Sequence, residues 1–227
     1  MAGMMGSLRG VWGWYQVRLA QQPVRTQMIT SGILWATGDY AAQSISRGLE
    51  RRRAASSPHE KSTKVEESTD WKRVALASSF GVGFVGPVGH VWYEGLERFV
   101  IHGLKLRVNS VPFIATKVAC DCLLFGPVHL LAFFSYMGLM SGRPWEKVKR
   151  DVERDFIPTY MTEGLGWAVV QVANFRLVPV RHQLLFVNVF CLVDSAFLSW
   201  VKYQDDAPWK KYLTSLVTPA KPSASAT

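Results

Sequence analysis

Charge is scarce in this chain. Only 19% of its residues are Asp, Glu, Lys or Arg, against about 25% in an ordinary soluble domain. No acidic residue precedes Asp39, and the run from Val74 to Tyr93 has no Asp, Glu, Lys or Arg at all. Cysteine is scarce too: Cys120, Cys122 and Cys191 form an odd set with no Cys-x-x-Cys or Cys/His ligand spacing. That excludes a disulfide framework and a zinc site. Cys120 and Cys122 stand two apart, so on a helix they point to different faces and read as small packing residues. The signatures of catalysis are missing as well. There is no His-Glu-x-x-His, no Walker loop and no Gly-x-Ser-x-Gly. The stretch GVGFVG, Gly81 to Gly86, fits Gly-x-Gly-x-x-Gly literally. Pro87 follows it at once and no strand precedes it, so these glycines read as sites of close helix packing. Neither an enzyme nor a resident metal or cofactor is expected.

What is abundant is apolar. The 227 residues are 48% hydrophobic and 12% aromatic, with nine tryptophans. The net charge is +9, which suits nucleic acid, anionic lipid or an acidic ligand. The basic residues sit between apolar runs and not in one stripe, as they do at the flanks of membrane spans. A lipid bilayer is the expected partner, and nucleic acid is not.

Residues 1–25 carry Arg9, Arg18 and Arg25 without an acid. This leans toward mitochondrial targeting, yet Leu8, Trp12, Tyr15 and Leu19 recur at helical spacing. Trp, Tyr and Arg together suit a retained helix lying in the membrane interface, with Pro23 turning the chain into the next element. Residues 26–201 then read as an all-α, multi-pass bundle. Spans are expected near 26–46, 74–93, 111–140, 158–175 and 184–201, since about 20 apolar residues cross a bilayer. Four are strong, and 158–175 is weakened by Glu163, Gly164 and Gly166. A polar loop over 47–73, a charged surface helix over 143–156 and a polar tail over 202–227 complete the expectation.

Every expected span holds an ionisable residue. The set is Asp39, His90, Glu94, Lys117, Asp121, His129, Glu163 and Asp194. Such groups cost about 3 kcal/mol each at mid-membrane and turn to the bundle interior or to water. Lys117 and Asp121, four apart, can pair on one face. Structural pairing accounts for one such pair more easily than for ionisable groups in every span, which a polar pathway explains. Gly86-Pro87-Val88 and Gly126-Pro127-Val128 also echo one another, each ahead of a histidine. Proline removes a helix hydrogen bond, and paired breaks in corresponding helices point to a binding site or pore.

In order along the chain, Trp12, Tyr15, Leu19, Pro23, Thr26-Gln27, Gly38-Asp39 and Gln43 form one signature. Trp71, Arg73, Gly86-Pro87, His90, Trp92-Tyr93 and Leu96 form a second. Lys117, Asp121 and Phe125-Gly126-Pro127 follow, then Trp167, Gln171, Asn174-Phe175 and Val178-Pro179. With these motifs the chain resembles the family of the peroxisomal membrane protein of 22 kDa and Mpv-seventeen, plant members most of all. It departs at Ala168, Cys122 and Asp194, where the family carries proline, glutamine and often tryptophan. The resemblance implies an all-helical bundle in the mitochondrial inner membrane or the peroxisomal membrane, without enzymatic activity. The amino terminus favours the mitochondrion. Some members resemble weakly selective channels, so a channel-like pore for small solutes or ions is the leading expectation. A non-transporting scaffold for a partner complex is the alternative. Association of the chain with itself stays open.

Overall fold

A computed structural model describes residues 2–56 and 68–202. Among them the chain forms helices joined by short connections, with no strand. We number them α1 (Ala2–Gln21), α2 (Pro23–Ser56), α3 (Trp71–Gly103), α4 (Val111–Met140), α5 (Trp145–Leu177) and α6 (Val180–Lys202).

α1 and α2 are separated only at Gln22. Pro23 opens α2, where its missing N–H costs nothing, and the Thr26 hydroxyl donates back to the Gln22 carbonyl at 2.8 Å. α2 then runs 34 residues, about 50 Å. That exceeds the ~30 Å hydrocarbon core of a bilayer. The expected loop from residue 47 is corrected here: α2 continues through Arg47 and Arg51 to Ser56. The loop's remaining centre, 57–67, and the tail from 203 onward lie outside the described residues. α3 starts at Trp71, where Asp70 caps it by accepting from the Arg73 N–H at 3.0 Å.

α3 and α4 are each long and apolar enough to cross a membrane by length and composition. α2, α5 and α6 are diluted by polar residues that the bundle buries: Gln27 and Ser31, Gln171 and Asn174, Gln183 and Asn188. Their polarity faces protein, which a hydropathy average cannot register. The expected surface helix 143–156 and span 158–175 turn out to be one helix, α5, unbroken through Pro158. Its first turns hold their own charge. Arg143 bonds Asp151 at 2.8 Å and Arg154 chelates Asp155 at 2.6 and 2.7 Å. This pairing lowers the Asp155 carboxyl below, and raises the Arg154 guanidinium above, its ordinary range. Gly142, at φ +83, turns the chain from α4 into α5, a conformation glycine adopts freely.

The centre of the bundle is built on α3. Phe80, Val85, Tyr93, Leu96 and Val100 pack against Phe113 and Ile114 of α4, Phe175 of α5 and Leu184 of α6. α2 lies along α6 and across both halves of α3. Two glycines permit that crossing. A Cβ on Gly81 would sit 2.8 Å from the Ser31 carbonyl oxygen, and one on Gly86 2.5 Å from Met28 Cα. Small residues let helix backbones approach in this way.

The two prolines share a device. In α3 the turn Gly81–Val85 is a π-turn, and Gly86-Pro87 follows it. In α4 the turn Asp121–Phe125 is a π-turn, and Gly126-Pro127 follows. The Gly86 N–H reaches back five residues to the Gly81 carbonyl, and the Gly126 N–H to that of Asp121. The widened turn makes room for a proline that has no N–H to give. The correspondence extends beyond the quoted echo. Helix starts at Trp71 and Val111, π-turns at Gly81 and Asp121, and breaks at Gly86 and Gly126 all stand forty residues apart. The histidines do not correspond. His90 is three residues past its proline and His129 two past its own, about 100° apart around a helix.

Candidate functional site

Polar residues converge where α3, α4, α5 and α6 meet. Lys117 lies fully buried on α4. Its ammonium donates to Glu97 on α3 at 2.5 Å and to the Gln183 side-chain oxygen on α6 at 3.3 Å. The Phe175 ring lies 4.4 Å beneath it and Phe113 5.3 Å away. Carboxylate, amide and ring faces together replace the water such a cation would otherwise need. Asp121, one turn on, accepts from the Trp92 indole at 2.8 Å and the Gln171 amide at 2.5 Å. Gln171 also donates to the Tyr93 hydroxyl at 3.0 Å, and its oxygen accepts from Asn174 at 2.9 Å. The expected Lys117–Asp121 pair therefore does not form. Each residue finds partners on other helices, because the i,i+4 rule for exposed helix faces yields where tertiary partners are at hand.

Asp121 lines a partly open cavity of about 140 Å³. Tyr93, His129, Gln171 and Asn188 share the wall with Trp35 and Trp167. His129 sits in an aromatic cage, its ring 5.7–5.9 Å from Trp35, Phe80, Phe84 and Phe125. A second cavity of about 390 Å³ holds Asp39 and Arg73. Trp35, Asn188 and Cys191 line both cavities.

The other expected residues fall elsewhere. Asp39 belongs to a tie between α2 and the start of α3. It accepts from Arg73 and Gln43, each at 2.8 Å. Gln43 pairs with both backbone groups of Asp70, at 2.9 and 3.2 Å, as a neighbouring strand would. Glu94 pairs with Arg98 on the outside of α3 at 2.7 Å. His90 and Asp194 line neither cavity. The Glu163 side chain lies outside the described ones.

The motif residues mostly build this arrangement. Tyr15 and Leu19 bury α1 against the bundle, and the Trp12 ring lies 5.3 Å from that of His182. The Gln27 amide donates to the Arg181 carbonyl at 3.1 Å. Gly38 lets α2 approach Leu192, whose Cα would stand 3.5 Å from an added Cβ. Glu97, Gln183, Trp35 and Asn188 join the site without belonging to any motif of the sequence. The available signal is that Gln183 and Asn188 interrupt the apolar run Leu184–Val193 and its start.

A model of the Mpv17 / PMP22 family matches residues 138–199. Protein SYM1 of Gibberella zeae is 34% identical over 192 residues, 84% of this chain and 97% of its own. The mitochondrial inner membrane protein Mpv17 of Danio rerio is 31% identical, covering 85% and 97%. That of Mus musculus is 31% identical, covering 86% and 98%. No solved structure matches. The chain belongs to the Mpv17 / PMP22 family and is, with these relatives, a membrane protein of the mitochondrial inner membrane.

Proposed function

We propose that this chain is a channel-like pore that passes small polar solutes or ions and so serves organelle homeostasis. The observation that carries the reading is the partly open cavity walled by Asp121, Tyr93, Gln171 and Asn188. These groups are partnered by one another and by Trp92, Trp35 and Ser31, and they also present a carboxylate, a hydroxyl and two amides to the void, where water and solute in transit would meet them. In this reading α2, α5 and α6 cross the membrane beside α3 and α4, with their buried amides turned inward. The first turns of α5 and the last of α2 reach beyond the hydrocarbon. The chain works as a conduit and not as an enzyme, and the lipid-like outer face of α4 meets acyl chains or a second copy.

The test is reconstitution of the pure, full-length chain in planar bilayers and proteoliposomes. Conductance or solute flux that Asp121→Asn reduces severalfold is the expected result. Absence of flux from folded protein rejects the pore. The scaffold reading predicts the reverse ranking in cells: substitutions in Trp145–Phe156 disable the protein while Asp121→Asn leaves it working.

A further inference from the structure

We propose that Trp35, held by Asn188, is the partition between the two cavities and sets the size of what passes. This rests on the pore reading and adds to it a specificity-determining residue. The inner cavity holds Asp121 and the second holds Asp39 and Arg73, and Trp35 and Asn188 stand in the wall of both. The Trp35 indole N–H donates to the Asn188 side-chain oxygen at 3.1 Å. The Asn188 amide in turn donates to the Ser31 hydroxyl at 2.8 Å. Asn188 and Ser31 are buried, at 1% and 0% exposure. The acceptor is thus fixed, while the indole is only half-buried.

Trp35 comes from α2 and its acceptor from α6, and the indole itself makes one hydrogen bond. The Asn188–Ser31 bond ties the same two helices behind it. The rest of the indole lies against the rings of Phe80, at 5.2 Å, and Phe133, at 5.6 Å. An aromatic plate resting on rings and latched by one bond swings when the latch breaks. It has a hydrogen-bond donor at the tip and bulk across the wall. A smaller side chain at 35 joins the two volumes into one passage. A latch-free aromatic keeps them apart but loosely.

Two measurements test this. In proteoliposomes that pass a small neutral solute, Trp35→Ala is expected to admit bulkier solutes that the native chain excludes. Trp35→Phe and Asn188→Leu are expected to keep the size limit while raising flux. Losing a buried hydrogen bond of about 1.4 kcal/mol corresponds to an increase of about tenfold. An unchanged size limit in folded Trp35→Ala overturns the proposal. The second readout needs no transport. In the full chain with Cys120→Ser and Cys191→Ser, Cys122 in the inner wall is the one thiol left. Its modification by a small charged thiol reagent is expected to accelerate about tenfold in Trp35→Ala and in Asn188→Leu, on the same conversion. Equal rates in native and substituted chains overturn the partition. Acceleration without any solute flux from the native chain keeps the partition and rejects the pore.

Discussion

α3 and α4 carry the same plan and use it in opposite ways. Both start after a capping residue, widen into a π-turn ten residues later and pass a Gly-Pro break. In α3 the widened turn begins at Gly81, and the backbone of α2 presses onto it and onto Gly86. In α4 the same position is Asp121, and a Cβ on Gly126 would meet nothing nearer than 3.5 Å. One turn is closed by packing and gives the cavity a single apolar residue, Val85, whereas the other gives it Asp121, Cys122 and Phe125. Their surroundings differ accordingly. Of the most apolar stretch of α3, 39% is buried within the bundle, but only 6% of that of α4. A repeated backbone device therefore does not fix its use. The side chain at the head of the turn decides whether a neighbour fills the space or a polar network borders it.

The largest predicted effect cuts the ties between the two helices. Glu97→Ala strands the Lys117 ammonium in the interior, a loss of about 3–5 kcal/mol. The double change Glu97→Leu with Lys117→Met removes the charge along with its partner and is expected to recover most of that loss. Thermal unfolding in detergent measures both. Next come the glycines that distinguish the turns. Gly86→Ala forces Cβ against the α2 backbone and is expected to cost about 1–3 kcal/mol, as overpacking does. Gly126→Ala gains an ordinary contact and is expected to be near neutral. Equal losses at the two sites erase the contrast drawn between the closed and open turns.

How much of this could be read from residues alone follows from the same contrast. Both Gly-Pro breaks, both apolar helices and the buried Lys117 and Asp121 are visible in the sequence, because each departs from its local background. The partners are not visible. Glu97 looks like one more charge on the amphipathic end of α3, and only the fold brings it within 2.5 Å of Lys117. Asp39 looks like an intramembrane charge of the same kind as Asp121, yet it secures the start of α3 through Arg73. Charge inside an apolar run signals that a partner exists and says nothing of which. The ends of α2 and α5 are hidden in the sequence for a related reason. Polar sequence resembles a loop or a separate helix, while the helical backbone runs on through Arg47 to Ser56 in α2 and through Pro158 in α5.

A smaller effect than the packing changes, and one confined to the open turn, is expected for Asp121→Asn. The asparagine keeps an acceptor for Trp92 or Gln171 and occupies the same volume, so the unfolding midpoint should move less than for Gly86→Ala. Solute flux should nonetheless fall severalfold, because the charge bordering the cavity is gone. The matching change in the closed turn, Gly81→Ser, should lower stability and leave flux per folded molecule unchanged. If Gly81→Ser alters flux per folded molecule as much as Asp121→Asn does, the packed turn controls the pathway as strongly as the polar one and the contrast between them fails.

The smallest effect lies away from both turns, where α1 rests on the start of α6. Burial, and then the neighbouring Arg181 guanidinium, lower the His182 imidazole below its ordinary pKa, which is about 6.5. The folded chain therefore holds His182 neutral after the unfolded chain has taken up its proton. Stability is intact above ~6.5 and is lost as pH falls below it toward the folded value. The ring Nε2 accepts one bond from the Gln16 amide at 3.0 Å, and the ring lies tilted against Trp12 and Tyr15. Protonation thus loosens the docking of α1 and leaves α3 and α4 as they were. Unfolding midpoints measured above and below ~6.5 should differ for the native chain and differ less for His182→Asn. An equal pH dependence in the two chains assigns the effect to carboxylates elsewhere, and the amino-terminal contact is then insensitive to protonation.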